Sequence, residues 1–167
     1  MPPRIAVVDY GAGNLRSVVN ALERLEAPVV ITNDAATILA ADGVIVPGVG
    51  AAEDTMRNLI AHNLPDVIRA VIANGTPFLG ICMGLQALMT ASDENDGQEC
   101  LDVIAGRVRL LPVGLKVPHM GWNQVSFPAH ARMHPCWAGV ADGSAFYFAH
   151  SYYAVPAQNT LIAATAN

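Results

Sequence analysis

The sequence predicts an α/β domain with a mostly parallel central sheet flanked by helices and an added antiparallel portion in its second half. Three observations carry this. Short apolar runs at Arg4–Asp9, Pro28–Ile31 and Gly43–Pro47 alternate with segments whose apolar residues recur at helical spacing. That is the pattern of strands buried on both faces and joined by helical crossovers. A fourth run, Thr76-Pro77-Phe78-Leu79, ends in Gly80-Ile81-Cys82-Met83-Gly84 and passes at once into Leu85-Gln86-Ala87-Leu88-Met89. Strand, sharp turn and helix are therefore expected in immediate succession. From Val103 onward the chain changes to strand-like runs separated by turns, with little helix.

Each element follows from its residues. In the first unit the apolar strand is closed by Asp9, and Tyr10-Gly11-Ala12-Gly13-Asn14 forms a glycine-rich turn. Leu15, Val18, Val19, Leu22 and Leu25 then share one helical face. The Gly-x-Gly here lacks the third glycine of a dinucleotide fingerprint, because Arg16 stands in its place. After the second strand, Asn33 or Asp34 can cap a short helix through Leu39. The third strand exits through Gly48-Val49-Gly50 into a helix with Met56, Leu59 and Ile60 on its apolar face. Leu64, Val67, Ile68, Val71 and Ile72 form a further stripe, broken at Pro65 and ended by Gly75. Ala91–Glu99 turns acidic and reads as a solvated loop, since its spacing does not match a calcium loop. Val103–Pro112, Leu115–Val117, Gln124–Phe127, Ala145–His150 and Leu161–Thr165 read as strands, some pairing antiparallel beside the main sheet.

Composition bounds the function. A chain of 167 residues, 53% hydrophobic and 14% charged, is expected to be one domain burying roughly 70% of its unfolded surface. A formal net charge of −5, without a basic run, speaks against a nucleic-acid surface. Cys82, Cys100 and Cys136 form no Cys-x-x-Cys and cannot all pair, which points to a reduced, cytoplasmic setting. The N-terminus leads straight into a strand, too short for a signal peptide, and no stretch approaches a membrane span.

The chemistry concentrates at Cys82. Between a strand's end and a helix's start, with a glycine on each side to let the backbone turn, its sulfur meets unpaired N–H groups and a helix dipole that favour the thiolate. The plain alternative is a buried core cysteine.

Several segments together resemble the class I glutamine amidotransferases. They are Val8–Leu15, Pro47-Gly48-Val49-Gly50, Gly80–Gln86, His119-Met120-Gly121-Trp122-Asn123 and Phe146–Tyr152. The elbow alone indicates the class. The Pro-Gly-Val-Gly and His-Met-Gly-Trp-Asn pieces make the chain most similar to the glutaminase subunits of imidazole glycerol phosphate synthases, in histidine biosynthesis. They separate it from relatives such as the pyridoxal phosphate synthase glutaminases. The resemblance implies a flavodoxin-like sheet, no metal or organic cofactor, glutamine as substrate and a (β/α)8-barrel cyclase subunit as heterodimer partner.

It also implies roles. Cys82 attacks the side-chain amide of glutamine to give a thioester and ammonia. The Met83 N–H receives the tetrahedral oxyanion, with a second donor from the Gly48-Val49-Gly50 loop after a peptide reorientation controlled by the partner. Gly48, Gln86, Glu94, Ser151 and Tyr152 hold the substrate, Glu94 near its amino end and the Ser151–Tyr152 backbone at its α-carboxylate. His119, Met120, Gly121, Trp122 and Asn123 face the cyclase, with Trp122 as anchor. Taken singly, each has a plainer reading: an ordinary strand exit for the glycine loop, a solvated charge for Glu94 and a half-buried core residue for Trp122. His150 reads as a structural histidine.

The family's catalytic histidine and glutamate lie on a His-Pro-Glu segment after a further strand, and the sequence ends at Asn167 before it. The domain is thus expected to span 1–167 and to be incomplete at its C-terminus, leaving the triad base and its orienter unassigned. His134-Pro135 is followed by Cys136 and precedes the strand carrying His150, so it does not match. The competing readings are an amidotransferase-like binding or scaffold domain and a different chemistry on the same elbow, such as a cysteine peptidase. Without an imidazole partner, a thiol of pKa near 8.5 is only a few per cent thiolate at pH 7. This chain alone is therefore expected to hydrolyse glutamine far more slowly than a complete subunit, as measured by glutamate release; equal rates would overturn that expectation and point to His150 as base.

Overall fold

The computed structural model describes residues 3–11, 13–112, 114 and 116–166. Its first half is a four-stranded parallel sheet of β1 (Ile5–Val8), β2 (Val29–Thr32), β3 (Gly43–Val46) and β4 (Phe78–Gly80), in the order β2-β1-β3-β4. Helices α1 (Leu15–Arg24), α2 (Ala35–Leu39), α3 (Ala52–Ala61) and α4 (Pro65–Ala73) make the connections. Alternation along the strands decides what each face buries. Ala6 and Val8 of β1, with Val44 and Val46 of β3, pack on Ile38, Met56, Leu59, Ile68 and Val71 from α2, α3 and α4. On the opposite face Ile45 and Leu79 meet Val18 and Leu22 of α1.

Local signals explain the helix boundaries. Asp34 caps α2, accepting from the Thr37 N–H at 2.8 Å, and Asn14 caps α1, accepting from the Ser17 N–H at 3.3 Å. The two Thr37 bonds hold the Asp34 carboxyl below its usual range. Pro65 does not break a helix, as the sequence suggested; it opens α4 at a first-turn position, where the missing N–H has no intrahelical acceptor to lose.

After β4 the structure departs from the expected pattern. The helix following Cys82, α5, is only Met83–Gln86, and Met89–Ser92 is a strand, β5. Leu85, Leu88 and Met89 fit helical spacing, but the backbone groups needed to continue the helix are engaged elsewhere. The Ala87 carbonyl accepts from Leu101 N–H at 2.8 Å, and the Leu88 carbonyl accepts from Val103 and Ile104 N–H at 2.9 and 2.8 Å. Strand β5 runs parallel to β7 (Ile104–Leu110), and β6 (Gln98–Glu99) pairs antiparallel with β5 inside the stretch read as a loop.

Two further strands complete an antiparallel unit: β8 (His119–Ser126), starting earlier than Gln124, and β9 (Ala145–His150), at its expected bounds. Strand β10 (Tyr152–Pro156), missed in the sequence, pairs antiparallel with β7 to give the order β10-β7-β5-β6. The strand expected over Leu161–Thr165 is instead a 3₁₀ turn at Asn159–Leu161 and a short β11 (Thr165–Ala166) beside β8. The Ile162 carbonyl there is taken by the His130 ring, with Nε2 at 3.0 Å. Of the strand expected over Leu115–Val117, Leu115 lies outside the described residues, and 116–117 are not in a strand.

Leu59 is fully buried between α3 and the sheet. Leu59→Ala should destabilise the fold by about 2–5 kcal/mol, read as a lowered urea midpoint with an unchanged slope.

Candidate active site

Strand β4 ends at Gly80, the Ile81 N–H still donates to the Val46 carbonyl at 3.0 Å, and the next residue turns sharply. Cys82 has φ 53° and ψ −111°, a backbone state costing a non-glycine residue about 1–3 kcal/mol. The positive φ falls on Cys82 itself and not on the glycines flanking it. Their role is close approach. A Cβ on Gly80 would fall 2.6 Å from the Gly84 carbonyl oxygen and the Leu85 nitrogen, and one on Gly84 would collide with the Val46 carbonyl oxygen. The two ends of the turn are thereby pressed against β3 and each other, and the strain falls on the residue between them.

The thiol is exposed rather than sunk in the core. The Gly84 N–H donates to the Ile81 carbonyl, and the Leu85 and Gln86 N–H groups to the Cys82 carbonyl, each at 3.0 Å. No acceptor among the described residues takes the Met83 N–H, the donor nearest the sulfur along the chain. Because α5 is a single turn, its macrodipole is small, and this local donor replaces the helix dipole expected from a longer helix.

The Pro47–Gly50 loop packs directly on the elbow. A Cβ on Gly48 would lie 2.6 Å from Met83 Cβ, 2.7 Å from the Tyr10 hydroxyl and 2.9 Å from the Gly84 nitrogen. Tyr10, fully buried, donates its hydroxyl to the Pro47 carbonyl at 2.7 Å. Burial pushes its phenol up from the usual 10.0, the neighbouring Thr55 hydroxyl opposes this, and charge on Cys82 adds to the rise. Beyond this anchor Val49 is 54% exposed and Gly50 sits at φ 96°, so the segment next to the sulfur is the least restrained part of the loop. Tyr10 was not singled out in the sequence; a lone tyrosine in a glycine-rich turn carries no spacing that predicts its partner.

An open cleft of about 420 Å³ joins these parts. Val49, Gly50, Cys82, Met83, Gln86, Glu94, Ser151 and Tyr152, all picked from the sequence, line it together with Pro118, Met120 and His150. Gly48 supports the loop from behind. Glu94 opens a 3₁₀ turn, and its Oε2 accepts the Ala52 N–H at 2.7 Å. Neighbouring Asp93 is engaged by Arg107 instead, at 2.6 and 2.8 Å.

The five residues His119–Asn123 do not share one surface, because successive residues of β8 face opposite ways. Met120 and Trp122 are exposed, Trp122 at 71%, and Trp122 meets Tyr147 of β9 edge-on at 5.7 Å. His119, Gly121 and Asn123 lie on the other face, half buried. There the His119 ring reaches the Asn123 side-chain oxygen at 2.7 Å and passes over Gly121, where a Cβ would meet it at 3.8 Å.

The histidines sort by their contacts. His62 meets the Asn33 amide and His130 the Ile162 carbonyl, while His134 accepts the Cys136 N–H and so caps a 3₁₀ turn. His150 alone of the five lines the cleft, with Nδ1 3.0 Å from the Tyr152 carbonyl. A carbonyl can only accept, so that nitrogen carries a proton.

The family described as Glutamine amidotransferase class-I matches residues 6–167. The chain belongs to the class I glutamine amidotransferases. It is 50% identical to the imidazole glycerol phosphate synthase subunit HisH of Moorella thermoacetica over 161 residues, covering 96% of this chain and 75% of that protein. It is 48% identical to HisH of Methylococcus capsulatus, covering 98% and 78%. Among solved structures it is similar to PurLQS from Thermotoga maritima, with a TM-score of 0.67 and 18% identity over 99% of this chain and 75% of that one. This last likeness concerns the fold alone.

Tyr10→Phe should leave the Pro47 carbonyl without its donor and cost about 1–3 kcal/mol. Because the folded phenol titrates above its ordinary value, its contribution is full below pH 10.0 and is lost as pH rises through the raised folded value. Urea unfolding at pH 8 and above pH 10 should show that alkaline loss shrink in the variant.

Proposed function

We propose that this amidotransferase is the glutaminase subunit of an imidazole glycerol phosphate synthase. It hydrolyses glutamine to glutamate and ammonia, and the ammonia passes to a (β/α)8-barrel cyclase that makes imidazole glycerol phosphate and aminoimidazole carboxamide ribotide. The observation that carries this is an exposed cysteine on a strained turn, opening into a cleft that Val49 and Gly50 of the adjoining loop also line. The similarity to two HisH subunits at about half identity over nearly the whole chain supports the pathway.

The chemistry follows from the placement. The Cys82 sulfur adds to the amide carbon, and the C–N bond breaks as the nitrogen takes a proton and leaves as ammonia. Water then cleaves the thioester to glutamate and restores the thiol. The Met83 N–H, which no acceptor among the described residues takes, receives the oxyanion formed in each addition. A second donor comes from the Val49–Gly50 peptide, in a loop where Val49 stands between two glycines and which is held at Pro47 but not at Val49. Gln86 stands one turn beyond Cys82 on the same short helix, Glu94 supplies negative charge for the substrate's ammonium, and the Ser151–Tyr152 backbone takes its α-carboxylate. The exposed Met120, Trp122 and Tyr147 side chains offer an apolar, aromatic face to the cyclase. Three unpaired cysteines suit a reducing cytoplasm.

A glutamine-mimicking diazo-ketone should alkylate Cys82, with loss of dinitrogen, and glutamine should protect it. Peptide mass spectrometry should find Cys100 and Cys136 unmodified, and Cys82→Ala should abolish both labelling and glutamate release. Labelling insensitive to glutamine, or confined to the other two thiols, would remove the assignment and favour a scaffold domain. Co-purification with a barrel subunit tests the partner separately.

A further inference from the structure

Helix α3 begins immediately after the Pro47–Gly50 loop, and its start is held in an unusual way. The N-cap residue, Ala51, has the extended backbone of a cap (φ −97°, ψ 156°) but no side chain to bond with; serine, threonine, aspartate or asparagine are preferred there. The first helical N–H, that of Ala52, donates to Glu94 Oε2 at 2.7 Å, across 42 residues of sequence. Glu94 is itself anchored. Its N–H donates to the hydroxyl of fully buried Ser92 at 3.2 Å, and its carbonyl accepts the Gly97 N–H at 3.1 Å.

The loop beside the thiol therefore runs between two fixed points. At one end the Tyr10 hydroxyl holds the Pro47 carbonyl, and at the other Glu94 holds the Ala52 N–H. Only residues 48–51 lie between them, and Val49 and Gly50 line the same cleft as Glu94. A carboxylate has more acceptor positions than the one the Ala52 N–H uses, so a cationic group in the cleft and the helix start can engage Glu94 together.

We propose that Glu94 is a positioning residue for the Val49–Gly50 peptide, coupling occupancy of the substrate's ammonium position to the geometry of the oxyanion loop. This rests on the glutaminase reading for the identity of the ammonium, but the tie between Glu94 and the loop does not. Glutamine bound at Glu94 fixes the carboxylate, the carboxylate fixes the start of α3, and the loop is confined between that start and Tyr10. The substrate's amino end thus helps to place a donor at its reacting end.

The test uses Glu94→Gln and Glu94→Ala in the complex with the cyclase subunit, with glutamine and with 4-carbamoylbutanoate, which lacks the amino group. Glu94→Gln keeps an oxygen for the Ala52 N–H but not the charge, so KM for glutamine should rise while kcat stays within about twofold. Glu94→Ala loses both, and kcat should fall about tenfold further, the scale of one charge-assisted hydrogen bond. On 4-carbamoylbutanoate, where the ammonium contact is absent from every variant, the Ala variant should still turn over about tenfold more slowly than the Gln variant. A carboxylate that only binds ammonium would make the two variants alike on glutamine and alike on the second substrate, which overturns the proposal.

A readout independent of turnover is amide hydrogen exchange over Val49–Asp54. Exchange at Ala52 should rise at least about tenfold in Glu94→Ala and stay near the parent in Glu94→Gln. Unchanged exchange in Glu94→Ala sinks the coupling whatever the kinetics show. The expected exchange pattern in a parent protein without glutamine turnover would instead count against the glutaminase reading and leave the tether standing.

Discussion

Holding a cysteine at φ 53° requires that the chain before and after it have nowhere else to go, and the contact of Gly80 and Gly84 with Val46 imposes this. Any side chain at either glycine would push β4 and α5 apart and let the turn relax to an ordinary conformation. The strained state costs energy locally and is sustained by a core in which β1, β3 and three helices pack together. The sulfur stands clear of that core: Cys82 is exposed, while Met83 and Gly84 just after it are buried.

The second half of the site depends on the same contact. Gly48 can lie against Met83 only because the elbow brings the start of α5 to the end of β3. The loop thus inherits its position from the sheet and its freedom from its own glycines. Tyr10 and Glu94 limit that freedom from opposite ends, one from the first strand's exit and one from the turn after β5. A narrow range suits a loop beside a reactive sulfur, since preorganised dipoles stabilise charge without further rearrangement.

Periodic features were legible and paired features were not. Leu15, Val18 and Leu22 mark α1, and Gly43–Val46 marks β3, because helical spacing and continuous apolar character are written within the segments themselves. Gly-x-Cys-x-Gly announced its turn for a similar reason. Met89–Ser92 misled because its apolar residues fit either period, and pairing with Ile104–Val108 decided between them. His119–Asn123 read as one surface patch, whereas strand alternation divides it between two faces.

The sequence by itself determined the α/β alternation, the elbow cysteine and the glycine loop, since each is a local pattern whose residues act on their neighbours; the amide chemistry came through the resemblance of several segments to one family. Only the tertiary structure decided that the positive φ falls on Cys82, that Tyr10 and Glu94 brace the loop, and that α5 stops after one turn. Those outcomes depend on carbonyls, N–H groups and bare glycine α-carbons meeting from distant parts of the chain, and contacts between elements leave no period in the sequence that could announce them.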